Sequence, residues 1–416
     1  MKFTKEIKMF KTIKIRKETD GSLIYDVNTR KYVFSQFDFF GKPLTINQIR
    51  EQVCQELKMG EMDESDILSL VFLDNQQLYS NNLSAPIGIY FEIAESCNLD
   101  CEHCYKASLS KKVPLNLKEM KKTIDELASL GVLEFRFCGN EPVVHKYFSQ
   151  LAFYAKSKGF YLSTNTNGFY DDSYINKLIE IGFNEVIISI EGQEETHDEI
   201  RGSGSYKKAL NVLRALKEHG VKSRINMTVS KFNLKELEFI GDLAVKHGAY
   251  VSYIPIRVVG KHTAYKKNFG DLTDQDMLEI VKRVEYIREK YPKTRFLTYF
   301  DILSKEPDYY HPLWFNNPCP ARKNLFISYA GDVYPCDYLI YLGDVFFGGN
   351  IRKKTIADIW HHAPGIRRFR ELKHTQKCQK CNFLSTKCYG GCPSEALAKK
   401  LIVDDHLCFK DRLNKQ

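Results

Sequence analysis

Three cysteines, Cys97, Cys101 and Cys104, share one short stretch, with three and then two residues between them. Cysteine thiolates are the standard protein ligands of iron–sulfur clusters. Three on one loop hold three irons of a [4Fe–4S] cube and leave the fourth open to another molecule. A zinc knuckle and accidental clustering are the competing readings; a closed structural site would want a further ligand nearby, and the next cysteine is Cys138. A second group comprises Cys319, Cys336, Cys378, Cys381, Cys388, Cys392 and Cys408. Ten of the twelve cysteines fall in these two groups, which favours metal ligation in a reducing compartment over disulfide pairing. Of the remaining two, Cys54 reads as a core residue on the apolar side of a helix. Cys138 reads as a small residue packed at a strand end.

The bulk properties agree with a reducing compartment. The 416 residues suffice for two or three domains with sizeable cores. Residues 1–17 are basic but lack the apolar centre of a secretory signal, and no run approaches the ~18–20 apolar residues of a membrane span. The expectation is a cytoplasmic protein with no membrane partner. A formal charge of +9 without a long basic block demands no nucleic-acid partner, and a solvated basic surface accounts for most of it.

The cysteines need elements to position them. Residues 1–83 read as a small α+β unit with strands at 10–16, 24–27 and 32–35, then short amphipathic helices at 45–57 and 65–73. Residues 74–86 read as a linker. Beyond it strands and helices alternate. Strands are expected at 87–94, 133–137, 160–164, 186–190, 223–229 and 250–256. Between and after them helices are expected near 147–157 and at 173–181, 206–219 and 274–290, with one before the second strand capped by Asn116, Glu119 at its third position and Gly131 just past its end. A further helix is expected to open with Asn233 as cap and Glu236 at its third position. Six βα repeats imply a parallel sheet curved into a partial (β/α)6 TIM-like barrel, whose chemistry gathers at the C-terminal strand ends. The first cysteine group directly follows the first of these strands.

This order of features resembles the radical S-adenosylmethionine (radical SAM) superfamily. The resemblance implies that Cys97, Cys101 and Cys104, with His103 at the aromatic position and Tyr105 after it, hold a [4Fe–4S] cluster. The open iron of that cluster would chelate the methionyl amine and carboxylate of S-adenosyl-L-methionine. One-electron cleavage would then give a 5′-deoxyadenosyl radical that takes hydrogen from substrate. Cys138-Gly139-Asn140-Glu141-Pro142 is similar to the family's Gly-Gly-Glu-Pro motif, with Cys138 and Asn140 replacing glycines. Glu141 is the expected partner of the methionyl amine, since a carboxylate suits an ammonium; a salt-bridging surface Glu is the plainer reading. Thr166-Asn167-Gly168 resembles the turn after the third strand, placing Asn167 among the cofactor contacts with Tyr105. Ser189-Ile190-Glu191-Gly192 resembles Ser-x-Asp-Gly, with Glu for Asp. His197 through Arg201-Gly202 matches the following run. By resemblance Ser189 and Arg201 meet the methionyl carboxylate.

The second group resembles the seven-cysteine SPASM domain, which houses two auxiliary [4Fe–4S] clusters; zinc ribbons are the competing reading. Eleven residues separate Cys319 from Gly331, four follow before Cys336, and later gaps of two, six, three and fifteen complete the pattern. The gap of six before Cys388 is one longer than usual. Carried over by position, Cys378, Cys381, Cys388 and Cys408 bind the outer cluster and Cys319, Cys336 and Cys392 the inner one, with no fourth inner ligand identified. Residues 1–83 resemble the winged-helix-like recognition element that grips the leader of a ribosomally made precursor peptide; a structural extension is the alternative.

The implied architecture is 1–83 for leader binding, 84–305 for the radical SAM barrel and 306–416 for SPASM. The implied protein is an oxidoreductase with three [4Fe–4S] clusters that modifies a precursor peptide oxidatively, as in a thioether or carbon–carbon crosslink. Its electrons would come from a donor such as flavodoxin or ferredoxin. A sulfatase-maturating enzyme, a quinone-cofactor or mycofactocin-type maturase, and a docking scaffold are the alternatives. No general base stands out; Tyr253 and Arg257, at the sixth strand, are candidates for the pocket wall, and core packing is their plainer reading.

Overall fold

A computed structural model describes residues 11–18, 21–28, 30, 32–41, 43–58, 68–73, 83–106, 112–256, 269, 272–298, 319–372, 376–381 and 392–398. The N-terminal unit contains β1 (Lys11–Glu18), β2 (Gly21–Asp26), β3 (Tyr32–Ser35), α1 (Ile46–Leu57) and β4 (Leu68–Leu73). Its sheet runs β3-β2-β1-β4, with β4 parallel to β1 and the other pairs antiparallel. Helix α1 starts at a capping box, Thr45 with Gln48, and buries Ile49, Val53 and Leu57 against Ile13, Ile15, Ile24 and Val33. Cys54 is half-buried beside this core rather than within it, because Val53 and Leu57 occupy the inward stripe. Over 68–73 the helix expected for 65–73 is corrected to strand β4, and residues 65–67 lie outside the described residues. A six-residue apolar run does not distinguish the two periods, and the free edge of β1, in register from Lys11↔Leu68 to Arg16↔Leu73, supplies the strand partner.

The six expected barrel strands are present as β5 (Gly88–Glu92), β6 (Glu134–Cys138), β7 (Tyr161–Thr166), β8 (Glu185–Ser189), β9 (Ser223–Val229) and β10 (Tyr250–Pro255), all parallel neighbours. The helices are α2 (Leu117–Ser129), α3 (Phe148–Ser157), α4 (Asp172–Ile181), α5 (Glu194–Arg201), α6 (Ser205–Glu218), α7 (Leu237–His247) and α8 (Asp274–Lys290). Helix α5 was not among the expected elements. Asn233 does not cap α7: its side chain accepts from Ser230 N at 2.8 Å and donates to the carbonyls of Glu191 and Thr228. Tertiary partners just after β8 and on β9 compete successfully for that amide.

The sheet grows beyond six strands on both sides. Short β11 (Phe296–Thr298) adds parallel to β10, and β12 (Asn324–Ile327) adds parallel to β5, followed antiparallel by β13 (Asp332–Tyr334) and β14 (Gly349–Asn350). The barrel sheet therefore crosses the boundary expected at 306. Helices α9 (Ile356–His362) and α10 (Pro364–Arg370) bury Ile356, Ile359, Trp360 and Ile366 in the main core, and the Trp360 indole donates to Leu83 O at 2.8 Å. Short α11 (Gln376–Gln379) and α12 (Pro393–Ala398) follow. Among the described residues no helix is long and apolar enough to cross a membrane.

The N-terminal sheet closes the bottom of the barrel. One face carries α1; the other sets Leu23, Tyr25, Val27 and Tyr32 against Ile87, Leu133 and Tyr161, at the N-terminal ends of three barrel strands. Arg16 is fully buried there, donating to the carbonyls of Ala85, Pro86 and Gly131 and pairing with Glu18 at 2.7 Å. Arg30 pairs with Glu134 and lies 4.8 Å over the Tyr161 ring. Function must therefore be sought at the opposite, C-terminal end.

Candidate metal centre and cofactor site

The loop after β5 carries Cys97, Cys101 and Cys104 to that end. Its turn is closed by Cys104 N donating to Cys101 O at 3.0 Å, and it is tied to α5 by Glu102 N donating to Ile200 O at 2.9 Å. Two of the sulfurs have N–H donors: Asn167 Nδ2 lies 3.7 Å from Cys97 Sγ, and Arg201 Nη1 lies 3.8 Å from Cys101 Sγ. Anionic cluster sulfur needs such donors, so the residues present fit a cluster bound by three thiolates. Burial pushes the Cys101 thiol up to about 11 despite Arg201, so loading with metal must release protons.

The strand-end motifs converge on this loop. Asn167, after β7, also donates to Asn98 Oδ1 at 2.8 Å. Gly168 has φ +75°, and a Cβ there would meet the Ala209 backbone at 2.8 Å, so the turn requires glycine. Ser189 ends β8 half-buried, on the same inward-facing set as Tyr90, Arg136, Asn165 and Asn226. Glu191 is fully buried; its Oε1 accepts from Arg201 Nε at 2.9 Å and lies 3.3 Å from His103 Nε2, while its Oε2 accepts from Thr228 N at 2.7 Å. Burial would raise the Glu191 carboxyl, but Arg201 and His103 hold it at about 2.

Glu141 is only 1 % exposed. Its Oε1 accepts from Val143 N at 3.1 Å and Thr166 Oγ1 at 2.9 Å, and its Oε2 accepts from Asn167 N at 2.6 Å. This carboxylate joins the loop after β6 to the loop after β7; it is not a surface salt bridge. Burial raises it to about 7 against those three donors. Cys138 is buried at the end of β6, as expected of a packing residue.

Tyr105 points toward the C-terminal part of the chain. Its phenol donates to Asp337 Oδ2, and its ring lies 4.6 Å from that of Tyr338 and 6.2 Å from that of Tyr341. Cys336 Sγ lies 3.3 Å from Asp337 Oδ1. Burial first, then the neighbouring Cys392, raises the Cys319 thiol to about 12, and burial first, then Asp337, raises the Cys336 thiol. Cys319 and Cys336 pack against one small apolar cluster with Tyr334, Leu339 and Phe346, next to the Tyr105–Asp337 contact. Cys378 and Cys381 share one turn, with Cys381 N donating to Cys378 O at 2.9 Å. Cys388, Cys408 and Arg257 lie outside the described residues. Tyr253, a candidate for the pocket wall, is fully buried in the core, its hydroxyl donating to Leu237 O at 2.8 Å. Asp337 was missed from sequence; an acid directly after Cys336 was the available signal.

A parallel α/β barrel with this thiol loop at its first strand end belongs to the class of iron–sulfur barrel enzymes. The chain matches the Radical SAM superfamily over residues 91–244 and an iron–sulfur cluster-binding domain, SPASM, over 319–382. It is a radical SAM enzyme with a SPASM domain, and its cofactors are S-adenosyl-L-methionine, a [4Fe–4S] cluster and additional iron–sulfur clusters. It is 27% identical over 396 residues to Fe-coproporphyrin III synthase of Methanosarcina barkeri (strain Fusaro / DSM 804), covering 85% of this chain and 96% of that protein. It is 29% identical over 334 residues to mycofactocin maturase MftC of Mycobacterium tuberculosis (strain ATCC 25618 / H37Rv), covering 78% of this chain and 83% of that one. Its fold is similar to that of Streptococcus suis SuiB bound to precursor peptide SuiA, with a TM-score of 0.73 at 18% identity, over 96% of this chain and all of that one.

Proposed function

We propose that this enzyme oxidatively modifies a ribosomally made precursor peptide in the cytoplasm, installing a crosslink such as a thioether or carbon–carbon bond. The observation that carries the reading is the direct contact between the two cysteine regions. Cys97, Cys101 and Cys104 hold the radical-generating cluster, and Tyr105, next in chain, reaches Asp337 beside Cys336. The name of the mycofactocin maturase and the peptide bound to SuiB support a peptide substrate. Loaded with its cofactors, the first site supplies a 5′-deoxyadenosyl radical for hydrogen-atom abstraction.

The chain's own residues then divide the work. Ser189 and Arg201 orient the methionyl carboxylate, and Asn167 and Tyr105 shape the pocket around the cofactor. Glu141 acts by fixing the Asn167 turn, which brings the loops together around the methionyl amine. After hydrogen abstraction the substrate must lose one electron, which the auxiliary cluster held by Cys319, Cys336 and Cys392 would accept, and one proton, to complete a two-electron oxidation. Asp337 is the carboxylate placed to accept the proton, beside the inner-cluster ligands Cys319, Cys336 and Cys392. Cys378, Cys381, Cys388 and Cys408 complete the outer cluster, and a flavodoxin or ferredoxin supplies the reducing electron. Residues 1–83 bind the leader along β3 or β4, the outer strands of the sheet among the described residues, because one face is taken by α1 and the other by the barrel. Residues 84–305 and 306–416 serve as barrel and SPASM units that share one sheet.

Anaerobic reconstitution tests the cofactor scheme: three cubes require about twelve irons per chain. Zinc, or about four irons, overturns it. Incubation with short peptides encoded beside the gene tests the substrate. Loss of two hydrogens from one of them, with 5′-deoxyadenosine formed, is the expected result. Formation of an iron coproporphyrin instead would support the second reading favoured by the Methanosarcina relative, which spans 85% of this chain.

A further inference from the structure

The resemblance places Asp where this chain has Glu191, and the longer side chain has a visible consequence. Thr228 N fixes Oε2 at 2.7 Å, which leaves Oε1 to face Arg201 Nε at 2.9 Å and His103 Nε2 at 3.3 Å. His103 lies within the cysteine loop, between Cys101 and Cys104. Arg201, so held, presents Nη1 to Cys101 Sγ at 3.8 Å. An Asp at this position would end about 1.5 Å short, one C–C bond, and would not span from the Thr228 amide to both Arg201 and His103. Asn233, donating to Glu191 O at 2.9 Å, and His197 Nδ1, accepting from Glu191 N at 3.1 Å, pin the backbone. The carboxylate thus has bonding partners on β9, on α5 and in the cysteine loop.

We propose that Glu191 is a positioning residue that clamps Arg201 as an N–H···S donor to Cys101 and anchors the cysteine loop through His103, thereby setting the reduction potential of the radical-generating cluster. An N–H···S donor and a nearby cation stabilise the more negative, reduced state and raise the potential. Breaking the clamp from either end withdraws that donor from Cys101 and lowers the potential. This inference rests on the reading of Cys97, Cys101 and Cys104 as cluster ligands. A chain that takes up no iron on this loop fails that reading, before the clamp is tested.

The test is a redox titration of the reconstituted full-length enzyme followed by EPR, using the signal that responds to added S-adenosylmethionine. Glu191→Asp, which keeps the charge and loses the reach, is expected to shift that midpoint negative, Arg201→Gln to shift it negative as well, and the double variant to go no further than Arg201→Gln alone. An unchanged or positive midpoint in Glu191→Asp overturns the proposal, as do additive shifts in the double variant. Should Glu191→Asp fail to fold, Arg201→Lys, which keeps the charge and gives up the grip on Glu191, decides: a negative shift supports the clamp and an unchanged midpoint rejects it. A residue with only a packing role would lower iron content without this pattern.

Discussion

The phenol of Tyr105 donates a hydrogen bond to Asp337, joining the residue after the last cysteine of one loop to the residue after Cys336 in another. The two loops are more than two hundred residues apart in sequence, and each extends from a strand of the same sheet, since β12 lies beside β5. If Asp337 accepts the substrate proton, Asp337→Asn should lower product formation by about 10²–10⁴-fold, the range for loss of a general base. Cleavage of S-adenosylmethionine to 5′-deoxyadenosine should persist in the variant. Equal loss of both activities would assign Asp337 to cluster assembly instead.

His197 is fully buried, with Nδ1 accepting from Glu191 N at 3.1 Å, so it is held neutral. Burial lowers it to about 4, with Arg201 adding to the effect. Below pH ~6.5 the unfolded chain takes up a proton that the folded one refuses. This residue's contribution is therefore complete above pH ~6.5 and is lost as pH falls through about 4, amounting to at most about 3 kcal/mol. His197→Asn keeps an acceptor without titrating. Melting temperatures of variant and parent at equal iron loading should differ in their pH slope over this window; parallel slopes would refute the assignment.

Arg30 has φ +60° and sets its guanidinium between Glu134 and Glu185, at 3.7 Å from the latter. Removing it leaves Glu134 and Glu185 without a cation they share at the barrel floor. Arg30→Ala should cost about 1–3 kcal/mol, between the values for exposed and for buried pairs. Hydrogen exchange should rise at residues 21–35 and at the starts of β6 and β8. If leader binding also weakens while exchange stays unchanged, Arg30 serves the peptide rather than the interface.

Glu141 faces three donors and no acceptor partner is needed while it is ionised. Glu141→Gln turns an amide N–H₂ toward one of those donors. The expected loss is about 1–3 kcal/mol of stability, read as a lower melting temperature, because a buried donor is left unmatched. Stability equal to the parent would return Glu141 to the role of a direct ligand of the methionyl amine.

Strand periodicity and helix caps made most of the barrel legible in sequence. The Asn116–Glu119 capping box forms as expected, with Asn116 Oδ1 accepting from Glu119 N at 3.0 Å, because both partners lie within four residues. Features that depend on distant partners were not legible. The run 68–73 became a strand because β1 offered an edge, and Asn233 left the cap because Glu191 and Thr228 competed for its amide. The strand β12 joined β5 across more than two hundred residues, an attachment that no local pattern announces.

By itself the sequence determined the inventory of chemistry: the spacing of ten cysteines and the order of strand-end motifs require no long-range information, because loops that follow strands carry their ligands with them. Only the tertiary structure decided what each polar side chain does with its charge. It turned Glu141 inward onto backbone amides, set Glu191 between Arg201 and His103, and brought Asp337 to Tyr105. The physical reason is that a buried charge must be matched by whatever donors the fold brings within about 3 Å, and those donors lie on strands and loops that are distant in sequence.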